Sequence, residues 1–472
     1  MYMDNNIQIA LQIKEKFLYQ PTFQQENVIK KLAEFLRSGD DESAFILNGY
    51  AGTGKTTLIS ALVKALEAMG VKVMLLAPTG RAAKVFALHA ERPAFTIHRK
   101  IYRQQVLDAD GGRFSLNDNL HKNTLFIIDE ASMISRAQSA TSQFGSGALL
   151  DDMIKYIYNG QSCRMLLVGD TAQLPPVGES ESPALDAHVV GSYGLQVYSA
   201  ELSDVVRQKN GGGILWNATR LRQIVADGGG MSLPKIKFEG FADIVNVRGD
   251  QLIESLAENY HKYGLDDTIV ITRSNKRANI YNQGIRKTVL DYEDELASGD
   301  MLMIAKNNYF WTQKDNFIAN GEIAILRRYR RVRDLYGFRF ADVEIELPDR
   351  NNEELSATVL LDTLCSESPS LTPDEQEKLF NAVLEDYNDI PLKSDKLKEM
   401  RKSEYFNALQ IKYAYAVTCH KAQGGQWSCV YVDQGYMTEE MLTPDYFRWL
   451  YTAFTRATEK LFLVNWAKEQ VL

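Results

Sequence analysis

The chain has 472 residues, 45% hydrophobic and 24% charged, with a formal net charge of −8. At about 100–200 residues per domain, such a length holds two to four domains with ordinary globular cores, and the absence of any apolar run of about 18 residues excludes a membrane-spanning helix. Four cysteines (Cys163, Cys365, Cys419, Cys429) without C-x-x-C spacing indicate neither a zinc knuckle nor a disulfide framework. The N-terminus lacks the order of a secretory signal, so a soluble, reducing, cytoplasmic setting is expected.

In chain order, Ser43–Leu47 is a short apolar run ending in a glycine-rich turn, and Lys55–Met69 has helical spacing that stops at Gly70. Val71–Leu76, Thr124–Ile128 and Cys163–Val168 are further apolar runs of strand length. Apolar strands separated by helical segments predict a parallel sheet with helices on both faces. Tyr102–Leu107 and Arg113–Asn117 flank an Asp110-Gly111 pair, which predicts a small hairpin leaving that sheet. A second α/β pattern follows the glycine runs at 211–213 and 228–230, with the strand Thr268–Thr272 and the helix Asn275–Leu290. Residues 297–362 then alternate in strand fashion and predict a small all-β insertion of barrel type. Residues 366–404 are acidic, polar and helical, an expected exposed extension. The α/β pattern resumes with Ile411–Thr418, Cys429–Asp433, Asp445–Thr458 and Leu461–Asn465.

The negative net charge does not exclude a nucleic-acid partner, because a phosphate responds to local potential. Arg81–Leu107 holds six Lys/Arg against one acid, and Arg273–Lys287 five against none. Asn351–Tyr405 carries 13 acids against six bases and accounts for most of the deficit. Solvated helix faces would give the same runs, so charge alone decides nothing.

Chemistry concentrates in a few blocks. Gly49-Tyr-Ala-Gly-Thr-Gly54-Lys55-Thr56 fits G-x-x-x-x-G-K-[ST], after a strand and before a helix. Such a loop turns backbone N–H groups inward around a phosphate, and the following helix adds its positive end. Lys55 would neutralise the outer phosphates, and the Thr56 hydroxyl would ligate Mg²⁺. Thr124–Ile128 runs into Asp129 and Glu130. Two carboxylates at a strand end also suit a solvated corner, but beside a phosphate loop they read as a metal ligand and a base for the attacking water. Gln173 lies just beyond a third strand and could orient a γ-phosphate or its water. Together these parts imply a nucleoside triphosphatase. Arg207 and Arg456 lie far along the chain; each alone reads most simply as a surface or structural arginine.

The blocks Thr22-Phe-Gln-Gln25, GYAGTGKTT, LAPTGRAAKVF, TIHR (Thr96–Arg99), IIDEAS, LVGDTAQLPPVG, VVRQ, VTCHKAQGGQW (Val417–Trp427) and LYTAFTRATEKL occur in that order. Their order and wording resemble the superfamily 1 helicases in their 5′-to-3′ branch, most closely RecD-like and Dda-like members. The resemblance spans residues 22–465 and implies an α/β fold of two RecA-like parallel-sheet domains in tandem. Residues 1–180 would be the first RecA-like ATPase domain, with a strand-separating pin hairpin at about 99–121. Residues 181–296 and 405–472 would be the second, and 297–404 an inserted SH3-like β domain with its acidic helical extension.

The resemblance also implies roles. Gln25 would read the adenine of ATP, and Gly49, Ala51, Gly52, Thr53, Gly54, Lys55, Thr56 and Thr57 would cradle its phosphates. Thr56 and Asp129 would hold Mg²⁺, Glu130 would activate water and Gln173 would sense the γ-phosphate. Arg207 and Arg456 would close over it from the second domain, and Gly424 would face the nucleotide cleft. Pro78, Thr79, Arg81, Thr96, His98, Thr418, His420 and Lys421 would line a single-strand track. Phe86, Phe95 and Tyr309 are candidate base-stacking rings. Two departures stand out: Gln25 lies close to the start, without the N-terminal extension of long RecD relatives, and the pin tip (Asp108–Gly112) has no aromatic residue.

The expected activity is ATP-dependent translocation on single-stranded DNA, 5′ to 3′, with separation of tailed duplex. An RNA-directed helicase, or a translocase that never unwinds, is a rival within the same chemistry. A nucleotide-switched repair or replication scaffold is a rival of another class, although retention of Glu130, Gln173, Arg207 and Arg456 argues for hydrolysis. The 366–404 segment could dock a protein partner or simply be a solvated helical insert.

Overall fold

The apolar runs bury themselves by alternating between two faces of one sheet. In the computed structural model, residues 5–17, 19–104, 114–138, 144–206, 212–230, 232–312 and 317–472 are described. The first strands are β1 (Ser43–Gly49), β2 (Lys72–Ala77) and β3 (Ala94–Thr96), followed by the short pair β4 (Tyr102–Gln104) and β5 (Phe114–Leu116). Then come β6 (Thr124–Ile128), β7 (Arg164–Gly169) and β8 (Gln196–Leu202). Among the described residues these form a six-stranded parallel sheet in the order β3-β2-β6-β7-β1-β8, with β4 and β5 paired antiparallel outside it. Phe45, Leu47, Leu125 and Ile127 face the helices Phe23–Arg37 and Lys55–Ala68. Ala44, Ile46, Phe126 and Ile128 face the helix Leu149–Tyr158 on the other side. Each fully buried Leu, Ile or Phe contributes about 1.5–3 kcal/mol, so both faces are needed.

The rear half repeats this plan. Strands β9 (Ile244–Val247) and β10 (Thr268–Thr272) precede the barrel strands β11 (Met301–Ile304), β12 (Ile323–Leu335), β13 (Phe338–Leu347), β14 (Glu353–Leu360) and β15 (Leu409–Tyr413). Strands β16 (Ala416–Thr418), β17 (Trp427–Asp433) and β18 (Ala457–Val464) complete a parallel sheet ordered β16-β10-β17-β18-β9. Strands β11 to β15 close into a barrel.

Some element boundaries differ from those read in the sequence. The first sheet runs past residue 180, because β8 pairs in parallel with β1 from Ser43↔Gln196 to Gly49↔Leu202. The run Ile411–Thr418 is not one strand: Leu409–Tyr413 closes the barrel and Ala416–Thr418 joins the second sheet. The barrel therefore ends beyond residue 404, and the acidic segment is an excursion between its last two strands. That segment forms the helices Pro373–Glu385 and Lys393–Met400, whose Leu379, Val383 and Met400 pack on barrel residues Phe338, Phe340 and Leu360. The Asp108–Gly112 tip lies outside the described residues; the β4–β5 pair is the base of the expected hairpin. Among the described residues no helix is long and apolar enough to cross a membrane.

One aromatic cluster joins hairpin, front sheet and barrel. Phe114 of β5 lies 4.3 Å (ring centroids) from Tyr309 and 4.9 Å from Phe144, and Tyr309 lies 5.2 Å from Phe317. Tyr309, expected as a base-stacking ring, is thus part of this contact. Phe86 is likewise a core residue, whereas Phe95 is 37% exposed.

Candidate functional site

The phosphate loop sits between β1 and the helix Lys55–Ala68, which starts on Gly54 at φ +84° with no side-chain cap, so its first-turn N–H groups stay open for a ligand. Lys55 Nζ donates to the carbonyls of Gly49 and Tyr50, the latter at 3.0 Å. A Cβ at Gly49 would fall 2.7 Å from Lys55 Cγ, so glycine is required for the lysine to lie across the loop. Gln25 is buried: it closes the capping box with Thr22, and its Nε2 donates to the Thr53 carbonyl at 3.1 Å. Its amide therefore packs against the loop, with Nε2 2.5 Å from where a Cβ on Gly54 would sit.

At the end of β6, the Glu130 N–H donates to Asp129 Oδ1 at 2.9 Å. Glu130 takes φ +53°, a left-handed conformation that turns the chain sharply and is uncommon for a side chain of its size. Burial, followed by the adjacent Glu130 carboxylate, pushes Asp129 up to about 7, against the lowering effects of that N–H bond and of the Lys55 cation. Gln173 is buried, and among the described residues its Oε1 has no hydrogen-bond partner. A buried acceptor left unpaired carries a free-energy cost unless something arrives to satisfy it. Two carboxylates, the Thr56 hydroxyl, an ammonium and an unmatched amide suit a triphosphate with a hard divalent cation.

The rear half closes this cleft. Arg456 is 3% exposed, and its Nη1 lies 3.8 Å from Glu130 Oε1. The same guanidinium is oriented by the carbonyls of Thr452 (3.1 Å) and Gly425 (3.2 Å). From the helix Pro444–Phe454, Arg448 donates to the Thr171 carbonyl at 2.6 Å, and Thr452 Oγ1 accepts the Leu174 N–H at 2.9 Å. Gln423 Nε2 donates to the Leu174 carbonyl at 2.7 Å. These contacts hold the segment bearing Gln173. Sequence reasoning missed Arg448, Thr452, Gln423, Asp170 and Tyr451, although all but Arg448 lie inside quoted blocks. Arg207 falls outside the described residues; the preceding Val206 N–H donates to the Gly52 carbonyl at 3.0 Å.

Of the expected track residues, Thr79 and Thr96 cap helices, accepting the N–H groups of Ala82 and Arg99. Arg81 stacks 3.9 Å above the Trp427 ring and approaches the Gln426 carbonyl, so it spans the two halves. Gly424, expected at the nucleotide cleft, has φ +73°, and a Cβ there would meet Ala82 Cβ at 2.8 Å and Thr79 Oγ1 at 3.1 Å. It therefore permits close approach of the halves beside half-buried Pro78. His98 packs edge-on to Phe144 at 4.9 Å, and burial lowers it to about 4, so it is neutral at ordinary pH. Thr418 starts the short helix carrying His420 and Lys421. His420 opens onto a groove of about 260 Å³ between the halves, lined also by Val177, Arg273 and Trp449. Lys421 hydrogen-bonds Asn320 of the barrel region, and burial followed by the nearby Lys412 cation lowers it to about 8.

Comparison with known proteins adds relatives to this geometry. A family model described as an AAA domain matches residues 24–224, and one described as a UvrD-like helicase C-terminal domain matches 413–464. An uncharacterised protein of Acanthamoeba polyphaga mimivirus is 24% identical, over 93% of this chain and 98% of its own length. The ATP-dependent RecD2 DNA helicase of Deinococcus radiodurans is 26% identical, over 88% of this chain and 46% of its own. The ATP-dependent DNA helicase dda of Enterobacteria phage T4 is 27% identical, over 55% of each. The chain thus spans about half the length of these two helicases. A structure of the Pif1 helicase from Bacteroides with ADP-AlF3 and ssDNA matches with TM-score 0.47 and 16% identity, over 96% of this chain and 95% of the other.

Proposed function

We propose that the chain, similar along most of its length to superfamily 1 ATP-dependent DNA helicases of the RecD and Dda type, is such a helicase, moving 5′ to 3′ along single-stranded DNA and parting the duplex ahead. The observation that carries this reading is the approach of Arg456, from the rear lobe, to Glu130 of the front lobe. A cleft built from both lobes can convert the presence of a γ-phosphate into lobe closure.

Lys55 and the open N–H groups of its helix bind the phosphates, and Gln25, packed against Thr53 and Gly54, reads the adenine. Thr56 and Asp129 would hold magnesium, which when bound would offset phosphate charge. Glu130 draws the proton from the attacking water, Gln173 orients that water, and Arg207 and Arg456 stabilise charge as the phosphoryl group leaves. Loss of the γ-phosphate removes what the lobes share and lets them part. Movement follows only if open and closed states hold the strand with different strength. Pro78, Thr79, Thr96, His98, Thr418, His420 and Lys421 grip that strand, with Arg81 joining the lobes beneath it. The β4–β5 hairpin, seated on Tyr309 and Phe317, acts as the pin.

Duplexes carrying a single-stranded tail at one end test this reading. ATP should unwind the 5′-tailed substrate and leave the 3′-tailed one intact, and Lys55→Ala should stop both unwinding and DNA-stimulated hydrolysis while the strand still binds. A 3′-tail requirement, or stimulated turnover in Lys55→Ala, overturns the assignment. Matched RNA strands in the same ATPase assay separate the RNA-directed rival, which requires stimulation by RNA at least equal to that by DNA.

A further inference from the structure

A rear-lobe hydroxyl hydrogen-bonds the phosphate loop directly. The Ala51 N–H donates to the Tyr451 hydroxyl at 2.9 Å, and that hydroxyl donates to Asp170 Oδ2 at 2.7 Å. The other oxygen of the same carboxylate accepts the Ala172 N–H at 3.0 Å. Tyr451 is 1% exposed and Asp170 equally so. Burial raises the phenol well above its ordinary range, so it stays a neutral hydroxyl with one proton to give. That proton goes to the front lobe's carboxylate, and its oxygen receives the loop's N–H.

We propose that Tyr451 is a positioning residue: its hydroxyl ties the phosphate loop and the end of β7 to the rear-lobe helix, so that Arg456 takes its place over the cleft from the state of the loop. The path is short and runs through hydrogen bonds alone. Tyr451 and Thr452 are adjacent on the last turn of Pro444–Phe454. Thr452 holds the Leu174 N–H through its hydroxyl, and its carbonyl orients Arg456 Nε. Displacing the loop at Ala51 therefore displaces the residue that aims the arginine, together with the segment that carries Gln173. A tyrosine kept only to fill space would serve equally as phenylalanine. The hydroxyl, not the ring, makes both bonds across the cleft. The proposal rests on the reading that this cleft hydrolyses ATP.

Tyr451→Phe isolates the hydroxyl, and hydrogen exchange reads its contact without any nucleotide. In the nucleotide-free protein the Ala51 amide is expected to exchange about tenfold faster or more in Tyr451→Phe than in the wild type, with the amides of β1 unchanged. With ATP and single-stranded DNA, kcat should fall about tenfold while KM stays within about twofold, because Lys55 and the helix N–H groups still bind the phosphates. Asp170→Asn keeps the shape and removes the charged acceptor, so it should give the same kcat loss. The double variant should lose no more than either single one, as for members of one unit. Unchanged Ala51 exchange, a loss confined to KM, or additive losses in the double variant would each overturn the proposal. A wild-type chain that does not hydrolyse ATP would instead sink the parent reading, with the exchange result still standing.

Discussion

Arg456 reaches Glu130 with its guanidinium already held by the carbonyls of Thr452 and Gly425, so its cation is placed before a triphosphate arrives. An arginine placed in this way acts mainly on the transition state, where negative charge spreads over the transferred phosphoryl group. Arg456→Ala is therefore expected to bind ATP with little change and to lose about 10³-fold or more in kcat, as arginine fingers do elsewhere. Equal turnover in that variant removes it from the finger role. Lys421 makes a different kind of prediction. Its pKa near 8 lies below the ordinary lysine value, so its positive charge is lost as pH rises through 8. Affinity for single-stranded DNA should fall between pH 7 and 9, and Lys421→Arg, whose cation does not titrate there, should flatten that fall. Lys421→Ala should shallow the salt dependence by about 0.7 in the log–log slope, the value for one phosphate on a single strand. A pH profile unchanged in Lys421→Arg would detach this lysine from the strand.

At the scale of elements, the β4–β5 pair matters because it is short and yet well seated. Three residues a side would not hold a hairpin in water. Here Phe114 inserts its ring among Phe144, Tyr309 and Phe317, which come from two other parts of the molecule. Phe114→Ala should leave DNA-stimulated ATP hydrolysis near the wild-type rate and reduce duplex unwinding several-fold, since buried aromatic contacts of this kind cost about 3–5 kcal/mol to delete. Full unwinding in that variant would remove the hairpin from strand separation. The same elements explain what the sequence could and could not disclose. Strands β1, β6, β7, β10 and β17 are nearly wholly buried, so each reads as an apolar run. Strand β8, QVYSAEL, is an edge strand with only Ala200 and Leu202 buried, and leaves no such run. The chain leaves the barrel for the second sheet across Ala414 and Tyr415 alone, both as buried as the strands on either side, so no polar break marked the change. Lys55, Asp129, Glu130 and Gln173 could be singled out because each stands in a short block that reads on its own. Tyr451 could not, because its meaning lies in Ala51, 400 positions away.

Across the whole molecule, the distribution of apolar packing sets which parts move as one. Rear-sheet residues such as Val270, Tyr431 and Leu463 share a continuous core with Leu302, Ala324, Ile345 and Val359 of the barrel. The front sheet has two further cores, one on each face, and one of them takes in Phe317 of the barrel region. Between front and rear, Ala172 and Leu174 dip into the rear core, but many contacts are hydrogen bonds, with the ion pairs Arg456–Glu130 in the cleft and Lys84–Asp349 towards the barrel. Hydrogen bonds of this kind are worth about 0.5–1.5 kcal/mol each, which suits a joint that must open and close, whereas parting the rear lobe from its barrel would expose a core. Calorimetry of the nucleotide-free chain should accordingly show two transitions, with rear lobe and barrel melting together. A non-hydrolysable ATP analogue with magnesium, at about 100 times its Kd, stabilises what it binds by about 2.7 kcal/mol. That should raise the front-lobe transition by about 5–10 °C and draw the second towards it, because the analogue also engages Arg456. A separate third transition, lost when the barrel is disrupted by Ile345→Asp while the rear-lobe transition stays in place, would show that the barrel folds on its own. The rear lobe and barrel could then no longer act as one lever on the strand.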